Sequence, residues 1–192
     1  MAPRTNKRLL YTSHPLSFPV PGETFVVDAS QTIDPDSVPL RVGEFLLKTF
    51  VVGSDPYLRD RMRPADVPSW TPPFTIGEPC VLPPVRESAL ILSPLHSVGN
   101  FGLGVVVRSN SSAYAVGEHI FGIIGELMFC FVSPAALRSG RDFVEYSILA
   151  DDGIMAHSWV KLQKMPGLSW NRYCGALGMA GRSSCRISRL VN

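Results

Sequence analysis

Short apolar runs broken by glycine and proline set the pattern of this chain, and the 3.6-residue rhythm of amphipathic helices is scarce. Runs at Arg8–Tyr11, 24–28, Glu44–Val52, 102–108, 119–123, 143–149 and 159–162 read as strands. Within Glu44–Val52, Phe45, Leu47, Thr49 and Val51 alternate with Leu46, Lys48, Phe50 and Val52, so one face is almost wholly apolar and the other mixed. That alternation suits a strand of a closed or partly closed barrel. Val116-Gly117-Glu118 predicts a turn ahead of an apolar strand, and Gly102 and Gly104 predict a bulge or a close backbone approach, although each could also be a plain loop residue. From Ser54 the pattern changes. Ser54 or Asp55 as an N-cap, Pro56 at the first helical position and alternating charges up to Met62 predict one or two helical turns. A second helix is expected to begin near Ser169.

Composition narrows the class. The 192 residues are 45% hydrophobic and 18% charged, with a mean hydropathy of +0.15, which suffices for one domain with a true core plus a fragment of another. A formal net charge of +2 offers no electrostatic footprint for a phosphate backbone or an anionic membrane, so nucleic acid is not an expected partner. Arg4, Lys7 and Arg8 precede only Leu9-Leu10-Tyr11, too short for a secretory segment, and the longest apolar run, at 127–132, is too short to cross about 30 Å of hydrocarbon. The expectation is a soluble cytoplasmic protein with no membrane partner. Cys80, Cys130, Cys174 and Cys185 are dispersed without a C-x-x-C pair, which suggests free thiols and neither a disulfide framework nor a zinc site.

One ordered series of motifs carries more. Asp55-Pro56-Tyr57-Leu58-Arg59-Asp60-Arg61-Met62 is followed by Pro72-Pro73-Phe74, Gly77-Glu78-Pro79, Gly102-Leu103-Gly104-Val105-Val106-Val107, Val116-Gly117-Glu118 and Phe143-Val144-Glu145-Tyr146-Ser147. Gly175-Ala176-Leu177-Gly178-Met179-Ala180-Gly181 closes it. The series resembles the N-terminal, GroES-like domain of the zinc-independent medium-chain dehydrogenase/reductase superfamily, in its branch of leukotriene B4 dehydrogenases, prostaglandin reductases and alkenal double-bond reductases. Ala180 stands where that family has proline.

The resemblance implies a mainly β fold: a partly open GroES-like β-barrel over 1–168 with short helices, and at 169–192 the start of a cofactor domain, truncated before the Rossmann fold. It implies an NADPH-dependent oxidoreductase that reduces the C=C bond of an apolar α,β-unsaturated aldehyde or ketone. Tyr57 then matches a pocket tyrosine whose hydroxyl suits the carbonyl or enolate oxygen, with packing of the short helix as the other reading. Phe74 falls at a second substrate-binding aromatic, and Met179 and Ser183 are the cofactor contacts this chain could supply. Arg59 and Arg61 are expected to pair with Asp55, Asp60 or Glu78. The zinc branch needs a cysteine near Ser54-Asp55 and a histidine beside Gly77-Glu78; neither is present, and no metal is expected. His119, isolated in sequence, reads as a strand residue.

The chain also departs from the family. No G-x-G-x-x-G follows a strand, so most of the NADPH site is missing, and the chain alone is expected to be inactive. Stretches 80–98 and 126–141 interrupt connections that are short in the family and are apolar where surface insertions are usually polar. They read as translated non-coding sequence or an erroneous gene model, or else as genuine loops. The alternative to an enzyme is a non-catalytic β-barrel module that binds an apolar ligand, or a partner through the surface a cofactor domain would cover.

Overall fold

The computed structural model describes residues 3–53, 56–69, 71, 73–77, 100–124, 145–152, 159–175 and 177–178. The stretches 80–98 and 126–141, and with them Met179 and Ser183, lie outside the described residues.

Among the described residues nine strands and two short helices follow one another as β1 (Arg4–Thr5), β2 (Arg8–Tyr11), β3 (Phe25–Asp28), β4 (Thr32–Ile33), β5 (Glu44–Val52), α1 (Tyr57–Arg61), β6 (Asn100–Ser109), β7 (His119–Ile124), β8 (Tyr146–Ala150), β9 (Val160–Leu162) and α2 (Asn171–Cys174). The chain is thus mainly β, as expected. Among the described residues the strands do not close a barrel. They make an antiparallel five-stranded sheet in the order β8-β5-β6-β7-β9 and two separate ribbons, β1-β4 and β2-β3. The β2-β3 ribbon meets the β8 end of the sheet where Glu145 N–H donates to the Lys7 carbonyl and the Asn6 side chain bonds both backbone groups of Tyr146.

Strand β5 corrects the simple alternation read from its sequence. Its pairing with β6 slips between Leu46 and Leu47 and again between Thr49 and Val51. A bulge turns consecutive side chains to the same side. The first slip leaves Val107 of β6 as the extra residue and the second leaves Phe50 of β5, while β5 keeps a regular register with β8 over Glu44–Lys48. Phe45, Leu46 and Leu47 are all fully buried in succession because both faces of this part of β5 are covered, and Phe50 emerges 41% exposed. Bulges add a residue to one strand only, which a period-two pattern does not encode. Gly104 fulfils the close approach expected of it: opposite Thr49 in β6, it lies under the Leu47 side chain. Gly117 has φ +89 at the turn into β7, and its N–H donates to the Val106 carbonyl.

Among the described residues the core consists of three apolar clusters. Phe45, Leu47, Val106, Ile120 and Leu149 pack with Tyr114 and Trp159 on one side of the sheet. Leu103 and Phe121 pack with Tyr173 of α2. The third cluster joins the β2-β3 ribbon to α1.

The ribbon carries an acid-sensitive pair. Arg8 and Asp28 face each other across β2 and β3, and the Arg8 guanidinium, followed by the Ser30 N–H, lowers the Asp28 pKa from 3.8 to about 2. A depressed carboxylate stabilises the fold above the unfolded pKa, and that contribution is lost as pH falls through the folded value. The thermal midpoint of Asp28→Asn is therefore expected to lie below that of the parent at pH 6 and to converge with it between pH 4 and 2. A constant gap across that range would show that the pair does not couple to folding.

Candidate active site

Three pieces of chain build the region that holds the two sequence-predicted pocket aromatics. The first is the end of β2, where Tyr11 is fully buried. The second is α1, which starts at Tyr57 directly after Pro56; the fixed φ of proline suits a helix entrance, and here it is −55°. The proposed caps Ser54 and Asp55 lie outside the described residues. The third is the loop through Phe74 to Gly77.

Tyr11 holds the three together. Its carbonyl accepts from Gly77 N–H at 2.7 Å, its hydroxyl donates to the Met62 carbonyl at 2.9 Å, and His14 Nδ1 lies 2.8 Å from the same hydroxyl. Because the phenolic proton is committed to Met62, the His14 nitrogen must be the protonated one. Gly77 has φ +83, a left-handed conformation that explains the glycine at this turn. Phe74 N–H donates to the Arg61 carbonyl, closing the loop onto α1.

Tyr57 and Phe74 are brought to one apolar cluster. Phe74 is buried with Tyr11, Leu58 and Met62, and the half-buried Tyr57, Leu9 and Phe25 pack against them. The Phe74 ring is 4% exposed, 5.4 Å from the Tyr11 ring, and has the Arg61 guanidinium 4.1 Å from its centroid. It therefore shapes this region from beneath. An open groove of about 520 Å³ runs along α1 between Pro56, Leu58, Met62 and the loop of Ser17, Phe18 and Pro19.

Among the described residues the expected pairing changes at Asp60, while any pairing with Asp55 or Glu78 lies outside them. Arg59 donates to the carbonyls of Pro15 and Ser17, and Arg61 is 1% exposed against Phe74. Asp60 pairs with Arg63 instead, at 3.6 Å, and accepts from the hydroxyls of Ser69 and Thr71, which lower its pKa. Arg63 adds bonds to the carbonyls of Asp60, Val67 and Thr71. Its longer return path through the loop, rather than its place in the motif, gives it the carboxylate. Asp55 and Glu78 lie outside the described residues.

Tyr11 and Arg63 escaped the sequence reading. Tyr11 is one aromatic at the end of a four-residue strand, and nothing local marks it as a hub. For Arg63 the available signal was the hydroxyl-rich stretch up to Thr71, which offers partners to a nearby charge.

On the far side of the sheet His119 lies in β7, as read, and stacks on Trp170 at 4.4 Å and 14°. Among the described residues no group of histidine, cysteine, aspartate or glutamate side chains could hold a metal ion, and no helix is long and apolar enough to cross a membrane. No glycine-rich turn opens α1 or α2, so the described residues do not form a dinucleotide site.

No protein-family model matches the chain. It is 36% identical over 116 residues to the NADP-dependent oxidoreductase RED1 of Cochliobolus heterostrophus, covering 58% of this chain and 31% of that protein. It is 30% identical over 120 residues to the NADPH-dependent curcumin reductase of Escherichia coli, covering 59% and 32%. With the dehydrogenase FUB6 of Gibberella moniliformis, identity is 26% over 185 residues, 94% of this chain and 41% of the relative. The chain thus spans less than half the length of these relatives. Among solved structures it matches CurA of Vibrio vulnificus with a TM-score of 0.57 at 23% identity, over 94% of this chain and 39% of that one. A complex of that protein with NADPH matches equally well, with a TM-score of 0.56. By sequence the chain is similar to oxidoreductases, and by fold it matches about two-fifths of CurA.

Proposed function

We propose that this chain is the substrate-side domain of a zinc-independent medium-chain reductase that uses NADPH to reduce the C=C bond of apolar enals or enones, in the leukotriene B4 dehydrogenase and alkenal reductase branch. The observation that carries the reading is the convergence of Tyr57 and Phe74 on one apolar cluster at the entrance of α1, in a chain similar to NADP-dependent oxidoreductases. NADPH supplies hydride for the β-carbon of the alkene. The described residues do not fit the cofactor, so its binding is assigned chiefly to a cofactor domain beyond them, with Met179 and Ser183 as this chain's own contacts.

The chain's residues work on the other end of the substrate. Negative charge develops on the carbonyl oxygen as an enolate forms, and a neutral phenol in a partly desolvated site stabilises it by donating a hydrogen bond. Tyr57 has that chemistry and is half-buried. Phe74 and Arg61 beneath it fix the apolar floor. In a fusion of this chain to a relative's cofactor domain, Tyr57→Phe is expected to lower kcat about 100-fold, the size found for losing one oxyanion donor, with NADPH affinity unchanged. An unchanged kcat would assign the tyrosine to packing α1.

A further inference from the structure

An open groove of about 320 Å³ lies between the β2-β3 ribbon and the end of β5. Leu9 and Val27 of the ribbon and Phe50 and Val52 of the sheet give it apolar walls, and neither Tyr57 nor Phe74 lines it. Val27 stands opposite Leu9 across the ribbon, and the two-residue repeat of an extended chain puts Lys7 on the face of Leu9. Val27 is 61% and Phe50 41% exposed, so both still have apolar surface to bury against a ligand. The charges along this groove are unequally committed. Arg8 is held by Asp28, and Glu145 lies 3.5 Å from Lys48, whose ammonium also stands over the Tyr146 ring. Lys7 lines the groove too, is exposed, and makes neither an ion pair nor a side-chain hydrogen bond among the described residues.

Counting the partners, three basic and two acidic groups stand at the groove, and the surplus positive charge rests on Lys7. The complementary ligand has an apolar body and a single negative charge. A neutral molecule leaves the ammonium unused, and a doubly charged one adds repulsion from Glu145. The volume lies at the low end for small-molecule clefts, which sets the size of the body. We propose that this groove is a binding site for a compact apolar monocarboxylate, with its carboxylate on the Lys7 ammonium and its body against Val27 and Phe50. The site is separate from the proposed reductase site and needs no nicotinamide cofactor.

Three probes test this by amide chemical shifts on the whole isotope-labelled 192-residue chain: cyclohexanecarboxylate, cyclohexylmethanol with the same body and no charge, and acetate with the charge and no body. Cyclohexanecarboxylate should shift the amides of Leu9, Val27, Phe50 and Val52 saturably and bind more tightly than the alcohol, whereas acetate should leave them in place. Lys7→Met should weaken the carboxylate about three- to fivefold, the effect of losing one exposed ion pair, and leave the alcohol unchanged. Lys7→Arg should restore it. Val27→Trp should block the groove to both. Absence of a saturable shift, shifts centred on other residues, or the same shifts with acetate, which would mean a surface lysine only, would each overturn the assignment. So would equal affinity of Lys7→Met for the carboxylate or undiminished binding to Val27→Trp.

Discussion

Mixed with NADPH and a small enal, the purified 192-residue chain is expected to consume no cofactor above the uncatalysed rate. Fused at Gly181 to a relative's cofactor domain, with 80–98 and 126–141 removed, it is expected to acquire enal-dependent NADPH oxidation. Hydride transfer requires both reactants in near-attack geometry, and holding them so accounts for about 7–11 kcal/mol of barrier lowering. Each 1.4 kcal/mol or so is a factor of ten in rate, so a pocket tyrosine cannot compensate for a cofactor that is not held. The described residues contain no phosphate-cradling helix terminus, and α1 and α2 have five and four residues. Cofactor fluorescence and absorbance record binding and turnover separately. Saturable micromolar NADPH binding by the unmodified chain would place the cofactor site within it and sink this reading, whatever the fusion does.

The second large effect concerns the sheet itself. A Cβ on Gly104 would stand 2.6 Å from Leu47 Cγ, 2.8 Å from its Cδ2 and 2.9 Å from the Lys48 carbonyl oxygen. Leu47 is fully buried and cannot swing away, and Lys48 is fixed by pairing to both β6 and β8. Gly104→Val should therefore cost about 3 kcal/mol, the upper range for overpacking, and lower the thermal midpoint by roughly 6–12 °C. Gly104→Ala should cost less in the same direction. A valine variant melting within a degree or two of the parent would mean that β5 and β6 separate more easily than their pairing implies.

Most of the sheet strands were legible because they carry runs of apolar residues between turn residues. β5 was located end to end, and β6, β7 and β9 to within two residues. The two-residue strands β1 and β4 were not seen, since two residues carry no period. The slips between β5 and β6 were equally invisible, since an extra residue, Val107 in one strand and Phe50 in the other, leaves no mark on a period of two. Motif order located Tyr57 and Phe74, whereas their convergence depends on Tyr11, whose role arises from contacts with Met62 and Gly77 far along the chain. The partner of Asp60 was misread for a related reason: it pairs with Arg63 and not with Arg59 or Arg61. Sequence proximity names the candidates, but the path of the following loop chooses among them.

Tyr11 also decides where a disturbance travels. Its ring and hydroxyl join the ribbon to α1 and the Phe74 loop in a cluster separate from those of the five-stranded sheet. Cooperative units of a protein follow such divisions of packing. The candidate site therefore shares its packing with the ribbon, whose Leu9, Tyr11 and Phe25 meet the same cluster as Tyr57, while the sheet has two clusters of its own. Loosening of the ribbon is thus expected to disturb the packing under Tyr57 before it disturbs the sheet.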